Sequence, residues 1–312
     1  MSRNVNNKPL VYLDNGSSAQ KPKVVIDAVS KAYSEEYSNV HRGLHTLSNL
    51  ATDNYESVRG KIQNFLGADH PEEIIFNSGA TEGINTVSYS WAVPNLKAGD
   101  EIILSIMEHH ANIIPWHFLR ERQGVVIKWV ETDENGDLDA QAVIDAINPK
   151  TKLIAITQMS NVLGTVVDVK EICRVAQENN IVTLIDGSQS SVHLPINVKD
   201  IGCDFFVITG HKLYGPSSSG ALYARKKRHE EMINFMGGGD MIKIVERDHV
   251  TYNISPHRFE AGTPGIVQMI GLGAAIDYMQ EIGTDHIAKH ETSLRDYANT
   301  KLSNLDFLNI QG

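Results

Sequence analysis

The most informative stretch of this sequence is Asp204-Phe-Phe-Val-Ile-Thr-Gly-His-Lys-Leu-Tyr-Gly-Pro216. Its apolar run is typical of a buried strand, and its Gly-Pro pair ends the segment, so Lys212 follows directly after the strand. Lysine is costly to bury unless its charge is paired or chemically altered. A Schiff base with an aldehyde cofactor alters the charge in that way. The alternative is a surface lysine, since strand ends usually meet water.

A second apolar strand is predicted in Ile181-Val-Thr-Leu-Ile-Asp-Gly-Ser-Gln189, and it ends at Asp186, 26 residues before Lys212. Pyridoxal chemistry needs a carboxylate beside the pyridine nitrogen, which keeps that nitrogen protonated. The pyridinium in turn supplies the cation that a buried Asp requires. By itself Asp186 is also compatible with an ordinary Asp-Gly turn. Together, Asp186 and Lys212 favour pyridoxal 5'-phosphate as the cofactor.

A candidate phosphate site lies in Glu73-Ile-Ile-Phe-Asn-Ser-Gly-Ala-Thr-Glu-Gly-Ile-Asn85, which is predicted to form a strand, a small-residue turn and a helix start. Free N–H groups and the helix dipole make such a turn an anion site. The same residues are compatible with an ordinary helix cap. The stretch lacks both the Gly-x-Gly-x-x-Gly and the Gly-Lys-Ser/Thr nucleotide patterns.

A candidate histidine follows the apolar run 101–106, in Met107-Glu-His-His-Ala-Asn-Ile-Ile-Pro-Trp116. A histidine at this strand end could lie on the cofactor ring and move protons. The adjacent histidines His109 and His110 also suggest a metal site as an alternative. That hypothesis is disfavoured, because no Cys or carboxylate cluster accompanies them at ligand spacing.

The order of apolar and amphipathic segments predicts an α/β fold with a mostly parallel seven-stranded sheet and helices on both faces. In such a sheet, ligands bind at the carboxyl ends of the strands. The short connection after the strand at 204–208 favours one antiparallel partner at 220–225. The other predicted strands are 73–76, 101–106, 125–130, 152–157 and 181–185. The predicted helices are 80–92, 112–123, 138–147, 168–180, 266–282 and 287–304.

The composition is that of a globular enzyme rather than a nucleic-acid or membrane protein. The 312 residues carry a formal charge of −10, which argues against the usual basic surface for nucleic acid. The absence of any apolar run of about 18 residues predicts no membrane span. The polar N-terminus has no signal-peptide core. The two cysteines suit a reducing cytoplasm.

Six motifs in order resemble the class V aminotransferase superfamily and, within it, the SUF-type (group II) cysteine desulfurases. They cover 78–85, 108–112, 160–165, 186–189, 210–216 and 258–264. Tyr12-Leu-Asp-Asn and the stretch 39–48 extend the resemblance toward the N-terminus. The resemblance implies a pyridoxal-phosphate-dependent transferase of fold type I.

The resemblance also implies a role for each matching residue. Lys212 would carry the Schiff base and then act as acid and base at the substrate carbon. Asp186 would hold the pyridine nitrogen, and Gln189 the phenolic oxygen. His109 would stack on the ring and assist proton transfer, while Asn161 would lie beside the ring near the substrate carboxylate.

The phosphate contacts implied by the resemblance come from two subunits. Gly262 and Thr263 would reach the phosphate of the other subunit in a homodimer. The contacts within the subunit would come from Ala80, Thr81, Glu82, Thr209 and His211.

The implied reaction converts L-cysteine to L-alanine. A protein thiolate takes the sulfur as a persulfide, and a SUF-system acceptor receives it for iron–sulfur cluster assembly in the cytoplasm. L-selenocysteine is a second candidate substrate. The alternatives are another class V enzyme, such as a selenocysteine lyase or an aminotransferase, and a catalytically silent subunit that binds only the cofactor or a partner.

The predicted domains are a large cofactor-binding domain at 1–280 and the start of a C-terminal small domain at 281–312. An N-terminal arm at 1–25 is expected to pack toward the small domain. In the family, the nucleophilic cysteine and the carboxylate-binding arginine belong to the small domain, so the chain resembles a C-terminally truncated desulfurase. Neither Cys173 nor Cys203 matches the nucleophile position, and both are expected to be packing residues.

Overall fold

The computed structural model describes residues 3–308 and residue 310. The strands are β1 (Asn4–Val5), β2 (Lys8–Pro9), β3 (Ile74–Asn77), β4 (Glu101–Ser105), β5 (Val126–Val130), β6 (Thr151–Thr157), β7 (Val182–Asp186), β8 (Phe205–Thr209), β9 (Gly220–Ala224), β10 (Ile242–Val245) and β11 (Val250–Tyr252). The helices are α1 (Lys23–Glu35), α2 (Thr46–Leu66), α3 (Ala80–Thr86), α4 (Val93–Asn95), α5 (Ile114–Gln123), α6 (Ala140–Asp145), α7 (Val169–Glu178), α8 (Ser190–His193), α9 (Val198–Ile201), α10 (Ile266–Ile282) and α11 (Thr284–Leu302).

The central sheet has seven strands in the order β3-β9-β8-β7-β6-β4-β5. The pairs β4–β5, β4–β6, β6–β7 and β7–β8 are parallel, and β9 is antiparallel to both β3 and β8. This confirms the predicted mostly parallel seven-stranded sheet and the predicted antiparallel partner. The seven predicted strands match the observed ones closely. The two small hairpins β1–β2 and β10–β11, and the helices α1 and α2, were not predicted from the sequence.

The predicted helices differ from the observed ones mainly at their ends. The helix predicted at 80–92 is α3 followed by a π-helical turn at Val87–Ala92. The helix predicted at 112–123 starts later, at Ile114, because His110–Asn112 forms a 3-10 turn and Pro115 occupies the first turn of α5. The helix predicted at 287–304 begins earlier, at Thr284. Local chemistry at the termini, rather than periodicity, sets these boundaries.

Two apolar clusters cover the two faces of the sheet. One cluster includes Ile62 of α2, Ile172 of α7 and Ile276 of α10, and the other includes Ile84 of α3 and Trp116 of α5. Helices therefore lie on both faces, as predicted. Among the described residues, no helix has both the length and the apolar character needed to cross a membrane.

A buried carboxylate, Glu108, joins the ends of two strands at the carboxyl edge of the sheet. Its Oε1 accepts hydrogen bonds from Ser105 Oγ of β4 (2.6 Å) and from the backbone N–H of Thr157 of β6 (3.0 Å). Its Oε2 accepts one from Asn112 Nδ2 (2.7 Å). Burial raises the pKa of Glu108 to about 7, and these three donors oppose that rise. Glu108 thereby fixes the segment that carries His109.

We expect Glu108→Ala to lower the free energy of unfolding by about 3 kcal/mol or more. The change leaves three buried donors without their acceptor, and each such loss costs about 1–3 kcal/mol. Chemical denaturation measures the difference, with Glu121→Ala as the control because Glu121 is exposed on neighbouring α5. A loss no larger than that of the control would contradict the proposed role of Glu108.

Candidate active site

A cavity of about 450 Å³ opens at the carboxyl ends of the parallel strands. Its position is the one expected for a ligand site in an open α/β sheet. The sequence analysis named many of its lining residues in advance. The cavity is lined by Ala80, Thr81, Glu82, His109, Asn161, Asp186, Gln189, Thr209, His211 and Lys212.

Gly262 and Thr263, also named in the sequence analysis, lie outside this cavity. They line a separate cavity of about 190 Å³, which shares Ser78 and Glu82 with the larger one. Gly262 has a φ of +83°, a left-handed conformation that glycine adopts at little cost. The structure thus places this pair next to the candidate phosphate site at 78–82 but not inside the cavity of its own subunit.

Asp186 is a buried carboxylate at the end of β7 that faces the cavity. Its residue is 4% exposed, and its Oδ1 accepts a hydrogen bond from the backbone N–H of Ser188 (2.9 Å). In the described part of the chain, no ion pair involves this carboxylate. A buried charge without a cationic partner is costly, so the site fits a ligand that brings a cation to this wall.

Lys212 lies on a tight turn after β8 and is half-buried. The turn is closed by hydrogen bonds from Gly210 N to Ser219 O (2.7 Å) and from Gly215 N to Gly210 O (2.8 Å). Burial lowers the pKa of Lys212, while the negative charge of Asp186 opposes this shift. The lowered pKa favours the neutral amine, which is the nucleophilic form.

The turn at 78–81, at the start of α3, is the candidate phosphate turn, and its backbone is open to an anion. Gly79 is the N-cap residue, with a φ of +134°, and among the described residues no side chain caps this helix end. A Cβ at Gly79 would lie 3.0 Å from Thr209 Oγ1, so glycine allows the Thr209 hydroxyl to approach the turn. The first backbone N–H groups of a helix have no intrahelical acceptor, which leaves those of Ala80 and Thr81 for a bound anion.

His109 lines both this cavity and a neighbouring pocket, whereas His110 lines only the neighbouring pocket. The Nδ1 of His109 accepts a hydrogen bond from the backbone N–H of Ala111 (3.1 Å), which orients the ring. Burial lowers the pKa of His109, so the neutral imidazole is favoured. The rings of His109 and His110 lie 6.0 Å apart between centroids.

The sequence analysis missed part of the wall. The arm residues Leu13, Asp14, Gly16 and Ser17 line the cavity, and Gln189 Nε2 donates a hydrogen bond to the carbonyl of Gly16 (2.8 Å). The sequence signals for this part of the wall were the Tyr12-Leu-Asp-Asn stretch and the small polar residues at 15–18. Other unpredicted lining residues are Thr157, Met159 and Ser188.

Neither cysteine lies in the cavity. Cys173 and Cys203 are fully buried in the apolar cluster that also contains α7, as the sequence analysis expected. Burial raises the pKa of Cys173 to about 12 and that of Cys203 well above its usual value. Both thiols are therefore neutral and out of reach of a ligand in the cavity.

Comparisons with known proteins show the family to which this chain belongs. Residues 11–312 match the family model described as "Aminotransferase class-V". The chain is 46% identical over 312 residues to a probable cysteine desulfurase of Xylella fastidiosa, a match that covers 100% of this chain and 75% of that protein. It is 44% identical over 313 residues to a cysteine desulfurase of Escherichia coli, with 100% and 77% covered.

A solved structure gives the same result. An apo cysteine desulfurase from Thermococcus onnurineus NA1 superposes with a TM-score of 0.92 at 34% identity, and the match covers 95% of this chain and 74% of that one. This likeness confirms the predicted fold of the pyridoxal-phosphate-dependent transferases of type I. The family model covers nearly the whole described chain, and the relatives and the fold agree with it. This chain belongs to the class V aminotransferase family.

Proposed function

We propose that this chain is a pyridoxal-phosphate-dependent cysteine desulfurase, which converts L-cysteine to L-alanine and passes on the sulfur. The relatives named as cysteine desulfurases match the whole chain at 42–46% identity, which supports this function. The observation that carries it is the meeting of Asp186 and Lys212 in one cavity, because a buried carboxylate without a cationic partner among the described residues and an amine of lowered pKa are the two groups that this cofactor requires.

The residues present fit the cofactor. Pyridoxal phosphate, when bound, supplies an electron sink for bonds at the carbon that carries the substrate's amino group. Asp186 would hold a protonated pyridine nitrogen, and the turn at Ala80, Thr81 and Glu82 would bind the phosphate with Thr209 and His211. Gln189 keeps one amide hydrogen for the phenolic oxygen, since only its other hydrogen is needed for Gly16.

Proton transfers are assigned to two side chains. Lys212 would attach the cofactor covalently and then move protons at the substrate's α- and β-carbons, for which its lowered pKa is suited. His109, neutral and oriented by Ala111, would lie along the ring and assist. Asn161, on the cavity wall, would contact the substrate near its carboxylate.

Sulfur leaves cysteine by attack of a thiolate on the substrate sulfur. The carbon–sulfur bond breaks, its electron pair stays with the β-carbon, which takes a proton, and the attacking thiolate becomes a persulfide. The buried Cys173 and Cys203 are unsuited to this attack. We therefore assign the attack to a thiol other than these two. The division into a large domain and a small domain, with the boundary near residue 281, is part of the same proposal.

The partners are proposed from the same resemblance. A SUF-type sulfur acceptor would receive the persulfide sulfur for iron–sulfur cluster assembly in the cytoplasm. A homodimer is supported by Gly262 and Thr263, which border the phosphate turn from outside, and by the exposed apolar side chains of Ile244, Val245 and Tyr252 on the hairpin β10–β11. Sedimentation of the cofactor-loaded protein as a monomer would contradict the dimer.

We expect borohydride reduction of the cofactor-loaded protein to fix pyridoxal phosphate on Lys212. Peptide mass spectrometry locates the label, and Lys212→Ala should lose the label while keeping cofactor bound through the phosphate turn. The decisive comparison is with Lys21, whose amine also lies beside His211. Recovery of the label on Lys21 or any other lysine in the unaltered protein would refute the assignment.

We expect Cys173→Ala and Cys203→Ala each to leave the rate of alanine release from L-cysteine unchanged, with an added thiol as sulfur acceptor. The reason is that both thiols are buried and neutral, so neither reaches the substrate sulfur. Circular dichroism controls for folding, and each variant serves as the matched control of the other. A roughly tenfold or greater loss of rate in one folded variant alone would show that its thiol takes part.

A further inference from the structure

We propose that Lys21 is a positioning residue that holds the peptide carrying Lys212 by binding the backbone carbonyl of His211. This inference rests on the proposed function, because it assigns Lys212 as the residue that binds the cofactor. It concerns the docked arm, defined here as residues 13–21, for which the sequence analysis expected contacts with a small domain. The observed contacts of the docked arm include two loops of the cofactor site.

The carbonyl oxygen of His211 accepts two hydrogen bonds from the docked arm. One comes from the backbone N–H of Ala19 (3.0 Å) and the other from Lys21 Nζ (3.1 Å). Lys21 Nζ also donates to the carbonyl of Ala19 (2.5 Å). A carbonyl oxygen has two lone pairs, and the bonds from Ala19 and Lys21 occupy both. They connect segments that are 190 residues apart in the sequence.

The charge and burial of Lys21 distinguish it from a surface lysine. Lys21 is half-buried, and in the described part of the chain it forms no ion pair, whereas its neighbour Lys23 is exposed and pairs with Asp27 (2.6 Å). Burial lowers the pKa of Lys21. When the Lys21 ammonium group binds two backbone carbonyls in place of water, it loses hydration energy. The two hydrogen bonds that this charged group donates offset the loss.

The docked arm is attached at a second point. Gln189 Nε2 donates to the carbonyl of Gly16 (2.8 Å), so the arm is held by the loop after β7 as well as by the loop after β8. Within the arm, Asn15 Oδ1 accepts from the backbone N–H of Gln20 (3.0 Å), which closes the segment on itself. The arm is thus a short, internally bonded segment clamped between the loops that carry Gln189 and Lys212.

The hydrogen bond from Lys21 to the His211 carbonyl affects the position of Lys212. The carbonyl that Lys21 binds belongs to the peptide bond between His211 and Lys212, so its position sets the origin of the Lys212 side chain. A misplacement of about 1 Å at a reacting group can cost about 10²-fold in rate. The positive charge of Lys21 also contributes to lowering the pKa of His211, after burial and Lys212.

The test compares Lys21→Met with Lys23→Met, which removes an exposed lysine two positions away. The first readout is hydrogen exchange of the protein without cofactor. Loss of the hydrogen bonds from the charged Lys21 should speed exchange about tenfold at the amide of Ala19, which donates to the same carbonyl, in Lys21→Met and leave it unchanged in Lys23→Met. Lys21→Arg, which keeps a cationic donor, should restore protection at least in part.

The second readout is the rate at which added pyridoxal phosphate attaches to the protein, followed by absorbance. Lys21→Met should slow attachment about tenfold or more, whereas Lys23→Met should not. Unchanged exchange and an unchanged attachment rate in Lys21→Met would overturn the proposal. If Lys21→Met does not fold, Lys21→Gln replaces the ammonium by a neutral amide and carries the same expectation. Failure of the proposed function would give a different result: borohydride reduction of the unaltered protein would not fix the cofactor on Lys212.

Discussion

The structure depends on one electrostatic constraint, the burial of the Asp186 carboxylate at the end of β7. Within the described residues it faces the cavity with a backbone hydrogen bond from Ser188 and no ion pair. The fold therefore carries a buried carboxylate that, among the described residues, has no cationic partner at the point where parallel strands end. We infer that a ligand that brings a positive nitrogen to this wall relieves the cost, and that Lys212, whose pKa burial lowers, and the turn at Gly79 would complete a site for pyridoxal phosphate.

The surrounding elements serve to hold that site in one geometry. Parallel pairing brings the carboxyl ends of β4, β6, β7 and β8 to the same edge, which gathers side chains from distant parts of the sequence. Glu108 ties β4 to β6 beneath His109. The docked arm ties the loop of Gln189 to the loop of Lys212. The buried cysteines belong to the packing of the core and add nothing to this edge.

Sequence patterns predicted the strands and the residues that follow them, because apolar runs and the polar residues that end them are local features. Asp186 and Lys212 were identified in this way. The contact of Glu108 with Thr157 and that of Lys21 with His211 could not be predicted, since each joins distant segments of the sequence. The arm was expected near a small domain, but nothing in its periodicity indicated the observed hydrogen bond between Gln189 and Gly16. No feature of the sequence predicted the π-helical turn that follows α3.

The protonation state of the bound cofactor's pyridine nitrogen tests the central claim most directly. Nuclear magnetic resonance of the protein loaded with cofactor labelled with ¹⁵N in the ring reports that state. A carboxylate beside the nitrogen favours its protonated form, so the resonance should be that of a pyridinium at neutral pH. In Asp186→Asn it should move to the position of an unprotonated pyridine. A resonance that is the same in both proteins would contradict the assignment of Asp186 as the partner of the cofactor.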